Sequence, residues 1–361
     1  MVIFVAMLVI LCLWGIKINF RSGFEDYMSP QKTGSVKGIF VVIVLLSHMR
    51  QYITVDNSWW NKPFNDFLGP IGQLMVVAFL FYSGYGIALG LKTKDGYAKT
   101  LPTKRALKVL IHFDIAVLIF YITGLALGKD YSVKKLLFSL VGLDGVGNSI
   151  WFIFDIIILY LLTFAVFIFA KKKMIVGTTV MTVVSFVAVL LIKEFKGNEY
   201  WWWDTVMCYP LGMWFALAKP YFDKNILPSF WKWILTTAVS VGAFVFLKEM
   251  FVQNGYERWF FVGYALVFAI ITVLVSMRIS INNKVLQWFG KRVFGIYILQ
   301  RIPMMILSHF GANRNPVLFA AVSFALTIVL AEVFERAMDK LDVLLHLSKK
   351  PIANKMKILQ R

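Results

Sequence analysis

The chain has 361 residues, 59% of them hydrophobic and only 16% charged, with a mean hydropathy of +0.72 and a formal net charge of +19. That balance lies outside the soluble globular range, which excludes a water-soluble enzyme and makes an integral membrane protein the class to expect. The longest connection between apolar runs, residues 128–149, is 22 residues, so no separate soluble domain fits.

A helix needs about 20 apolar residues to cross about 30 Å of hydrocarbon. Runs of that kind fall at 2–19, 38–55, 69–90, 107–127, 150–170, 174–192, 201–218, 230–247, 259–276, 293–309 and 316–335, which predicts an all-α polytopic bundle of eleven helices. The first run, MVIFVAMLVILCLWGIKINF, has no basic residue before its apolar core and no small-residue cleavage site after it, while Lys17 and Arg21 follow. It reads as a retained anchor rather than a signal peptide.

The second run holds Lys37 and His48, eleven residues apart. At 3.6 residues per turn and 1.5 Å per residue this is about three turns and about 16 Å, so both share one helix face. A helix entered at Lys37 carries His48 to about the middle of the membrane, where an ionisable group marks function by default. Imidazole moves protons near neutral pH and can activate a hydroxyl for attack on an acyl carbon; the bland alternative is a neutral histidine bonded to a neighbouring helix.

In the third run the glycines of GYGIALG (Gly84 to Gly90) permit close helix packing rather than cradling a phosphate. The following connection, LKTKDGYAKTLPTKRALKVL, packs six Lys and Arg into residues 92–108. Arg105 and Lys108 are three apart at the start of the fourth helix, so both can face one phosphate-bearing ligand, although anchoring of an inside-positive loop also accounts for them. His112 and Asp114, two apart, point to different faces, and a structural role is the simpler reading. Asp204 and Pro210 interrupt the seventh run, His309 is near a helix end, and His346 lies in a basic tail. Cys12 and Cys208 make neither a disulfide framework nor a ligand spacing, and with no HExxH and no Cys/His cluster no metal site is expected.

The basic residues also set an orientation. Connections after odd-numbered runs, with the C-terminal tail, hold 25 Lys and Arg, against 9 in connections after even-numbered runs. The positive-inside rule then predicts a cytoplasmic tail and an outside N-terminus, with the charge meeting anionic membrane lipid rather than nucleic acid.

Lys37-x10-His48, FLFYSGYGIALG, KRALK, SIWFIFDIIILY, CYPLGMWFA and WFGKRVFGIYILQ occur in the order seen in the acyltransferase-3 family, which the chain resembles over about 33–340. The resemblance implies an O-acyltransferase of a bacterial plasma membrane that moves an acyl group, often acetyl, from acyl-CoA to surface glycans or other small hydroxyl acceptors. Acyl-CoA is then a co-substrate, with no bound cofactor. It implies three segments: 1–32 as an added N-terminal anchor, 33–340 as the acyltransferase-like domain, and 341–361 as a basic cytoplasmic tail. It makes His48 the catalytic histidine, puts Lys37, Arg105 and Lys108 on the acyl-CoA, and gathers Ser83, Tyr85, Trp151, Asp155, Tyr160, Tyr297 and Gln300 around a substrate pocket. Four departures stand out. Lysine replaces arginine at 37 and 108, keeping the charge but losing the bidentate fork. Ile156 and Ile157 occupy the places of a glutamate pair, leaving Asp155 as the nearby acid, and Gln300 stands where many members have a histidine. A transporter or flippase of a small anion or lipid-linked sugar would share the helices, the buried polar residues and the basic loops.

Overall fold

The computed structural model describes residues 1–56 and 58–347; most of the predicted basic tail lies outside the described residues. The fold is an all-α polytopic bundle. Its helices are α1 (Val2–Leu13), α2 (Pro30–Met49), α3 (Lys62–Thr93), α4 (Tyr97–Leu101), α5 (Lys108–Ala126), α6 (Val133–Leu140), α7 (Trp151–Ala170) and α8 (Met174–Lys196) in the first half. The second half adds α9 (Cys208–Asn225), α10 (Phe230–Gln253), α11 (Arg258–Arg278), α12 (Lys284–Lys291), α13 (Val293–Leu299), α14 (Arg301–His309) and α15 (Pro316–Leu344). Strands β1 (Ile16–Ile18) and β2 (Ile279–Ile281) pair antiparallel, Ile16 opposite Ile281.

All eleven expected rods are present, but among the described residues eight helices are long and apolar enough to cross a membrane. Three rods depart from the expected spans for separate reasons. The first is helical over only 12 residues, about 18 Å, because Gly15 adopts φ +78° and the chain then extends into β1. The seventh begins at Cys208 instead of 201, since Trp203 to Met207 form turns that leave Asp204 outside the helix. The tenth breaks at Gln300: Pro303 has no N–H, and its ring crowds the Leu299 carbonyl four residues back.

The second helix starts eight residues before its apolar run. Ser29 accepts from the Lys32 N–H at 3.4 Å and Pro30 fills the first helical position, a start signal that the polar PQKTGSVKG conceals. It ends at Met49, which puts His48 in its last turn. Lys37 and His48 lie about three turns apart along it. At the Lys37 end Asn283 joins two helices, donating to the Leu11 and Trp14 carbonyls at 3.0 and 3.2 Å and capping α12 through Val285 N–H at 2.8 Å.

Two helix pairs approach to backbone contact. On α3 and α9, a methyl group at Gly84 would fall on the Tyr209 carbonyl, and one at Gly212 on the Phe81 carbonyl. On α2 and α12, Gly38 faces the Leu286 carbonyl and Gly290 the Gly34 carbonyl in the same way. Small residues allow this packing where water supplies no driving force between helices. Gly84→Ala should therefore lower unfolding stability in detergent by about 1–3 kcal/mol or more through overpacking. Gly86→Ala, with nothing within 4 Å, should cost nothing. Equal thermal midpoints for the two variants would contradict the contact.

Candidate active site

A cavity of about 270 Å³ lies between α2, α3, α7, α12 and α13. Lys37 lines its basic end; Phe79, Tyr82, Ser83, Phe152, Phe294 and Tyr297 line the rest. The close contact of α2 with α12 sets Gly290 and Lys37 on the same rim. Phe152 stands 5.4 Å from the Tyr297 ring, edge to face, and Tyr297 is 6.3 Å from the His48 imidazole, centroid to centroid. Tyr297 is thus the wall shared by the cavity and the histidine.

The kink at Gln300 builds the surroundings of His48. Gln300 is fully buried, its amide donates to the Tyr297 carbonyl at 3.0 Å, and it sits beside the imidazole. Its Oε1 and the His48 Nδ1 are both buried without a hydrogen-bond partner. Arg301, the next residue, brings its charge to bear on His48 and Tyr297 while its Nε donates to the Ser149 hydroxyl at 3.1 Å. Sequence reasoning did not select Arg301 or Ser149. The usable signal was an arginine inside an apolar span, since such residues rarely face lipid.

The predicted pocket residues divide. Ser83 and Tyr297 line the cavity, and Tyr160 stands behind Ser83, hydrogen-bonded to it at 2.9 Å. Tyr85, two positions on, turns toward α9 and packs on Phe215 at 6.1 Å between ring centroids, outside the cavity lining. Trp151 is one step outside it, 6.3 Å from Phe152. Asp155 is 1% exposed with no partner for either oxygen, a costly arrangement for a structural residue. Its neighbour Ile156 is packed in the core, where the family pattern would place an acid. Asp155 feels a second carboxylate, Asp204, which accepts from Gln73 at 2.5 Å and pairs with Arg258 at 3.9 Å.

Arg105 and Lys108 separate by partner. Pro102 cannot continue the helical hydrogen bonding, and residues Pro102–Leu107 form wide π-helical turns between α4 and α5. Arg105 leans from them onto the Tyr97 hydroxyl at 3.3 Å, exposed to solvent, with its charge also acting on Tyr160. Lys108 is ion-paired with Asp342 of α15, and the other oxygen of that buried carboxylate meets His112 at 2.9 Å. His112 is thus tied to the last helix, and Lys108 is held in the same cluster.

The acyltransferase domain family matches residues 35–336, nearly all of the bundle from α2 to α15. The chain belongs to this family. It is a multi-pass membrane acyltransferase, and the match ends within four residues of the extent expected from the ordered motifs. No curated protein and no solved structure matches the chain. For an acyltransferase the arrangement is chemically coherent: a basic mouth, a narrow aromatic-walled cavity, and behind its Tyr297 wall an imidazole flanked by an amide and a guanidinium.

Proposed function

We propose that this acyltransferase takes an acyl group, acetyl in the first instance, from cytoplasmic acyl-CoA and transfers it to a hydroxyl of an envelope carbohydrate of a bacterial cell. The observation that carries this reading is the cavity that runs from Lys37 to Tyr297, beside His48. Its Lys37 end is the end where the basic connections cluster, the side that the positive-inside rule assigns to the cytoplasm. Lys37 has no acidic partner among the described residues and is free to hold an anionic part of the donor. The thioester then reaches the imidazole, while the acceptor comes from the opposite end.

His48 takes the proton of the acceptor hydroxyl as its oxygen bonds to the thioester carbon. The carbon–sulfur bond breaks, and the proton passes from the imidazole to the departing thiolate. Arg301 supplies positive charge to the oxyanion that forms on the carbonyl, and Gln300 stands beside the ring. Proteoliposomes given labelled acetyl-CoA outside the Lys37 end and a glycan acceptor on the other side should yield acetylated glycan by mass spectrometry. Transport of label without any acylated product would reject the reading.

A further inference from the structure

A second cavity, of about 480 Å³, opens at the Lys37 end between the close of α3, α4 and the close of α7. Its floor is apolar, with Leu91, Phe167 and Ile168, and its rim carries Lys94, Lys99, Lys171 and Lys172 around Tyr97. We propose that it binds the phosphorylated nucleotide end of the acyl donor, with the four lysines on its phosphates and the Tyr97 ring available to the base. The inference rests on acyl-CoA being the donor.

Three observations converge on this ligand class. First, the charge is unbalanced: of the four lysines only Lys172 has an acidic partner among the described residues, Asp95 at 2.6 Å, and that pair is exposed. Loop anchoring by the positive-inside rule needs basic residues but does not need them gathered around a concave apolar floor of small-molecule size. Second, Lys171 is one of three described non-glycine residues with positive φ, at +51°, where glycine is the residue expected to end a helix. Keeping a lysine there retains a charge on the rim at the cost of backbone strain, a pattern met at binding sites. Third, Tyr97 ties this cavity to the reaction. Its hydroxyl accepts from Arg105, whose charge reaches Tyr160, and Tyr160 is bonded to Ser83 in the wall of the first cavity. A donor with its nucleotide among the lysines and its thioester near His48 would lie along that route, past Arg105.

The same phosphate chemistry belongs to anionic lipid headgroups, so the test separates the two sources. Calorimetric titration of CoA and of CoA lacking the 3′-phosphate into the full chain, in nanodiscs of zwitterionic lipid, would be compared between the wild type and a Lys99→Gln/Lys171→Gln variant. Loss of each charge-assisted contact should weaken CoA binding about 10- to 150-fold. The variant should also discriminate less between CoA and the form without the 3′-phosphate. Unchanged affinity and discrimination in a variant that elutes and melts like the wild type would overturn the proposal while leaving the donor reading intact. So would unchanged CoA binding together with loss, in a parallel set of nanodiscs containing anionic lipid, of the anionic-lipid enrichment seen around the wild type, which would assign the cavity to lipid. Wild-type protein that binds no CoA would overturn the donor reading and this site with it.

Discussion

Replacing His48 with alanine should lower acyl transfer about 10²- to 10⁴-fold, the range spanned by a positioned general base, while membrane insertion and thermal stability stay near those of the wild type. The imidazole is half-buried, its Nδ1 has no partner to orphan, and its ring packs on Tyr297 at a distance of 6.3 Å, so little structural support is lost with it. A purely structural histidine would show the reverse, lower stability with activity preserved per folded molecule. The measurement is turnover normalised to folded protein from size-exclusion chromatography, and full turnover in the variant would remove the central assignment.

Arg105→Gln should raise the Michaelis constant for acyl-CoA by about 10- to 150-fold and leave that for the acceptor within a factor of two or so, as expected when one charge-assisted contact to the donor is lost. The arginine is solvent-exposed, and its hydrogen bond to Tyr97 is long at 3.3 Å, so its removal leaves no buried group unsatisfied. Lys108→Gln serves as the contrast. It breaks an ion pair to a carboxylate that is 1% exposed, and its main cost should fall on stability, recovered in part by adding Asp342→Asn. Equal rises in both Michaelis constants for Arg105→Gln would mark a structural lesion, and no change would return that residue to loop anchoring.

Periodicity and apolar length were enough to find every rod, because each must satisfy its own backbone across the bilayer. They misjudged the ends where start signals are polar. Ser29 and Pro30 open α2 within a stretch that hydropathy assigns to a loop, and the helix closes at Met49, before its apolar run ends, with His48 in the last turn. The Lys37 and His48 pairing was legible since both lie on one helix. Arg301 and Ser149 come together across 152 positions, a contact that no spacing rule reaches. Tyr85 and Trp151 were grouped with the pocket by motif membership, and the helix phase separates them from it. Lys108 looked free because its partner, Asp342, is contributed by the last helix.

The pairing of β1 with β2 bears on where this protein ends as a unit. The family match begins at residue 35, yet the preceding segment is stitched to the far side of the domain. Besides the strand pair, Asn19 N–H reaches the Arg278 carbonyl at 2.9 Å and Phe24 N–H the Met277 carbonyl at 2.8 Å. Cutting the chain at the family boundary would strip the partner from Ile279–Ile281 and leave an unpaired strand edge. Such an edge is a template for another copy, so a chain cut at residue 35 is expected to self-associate more readily than the full chain.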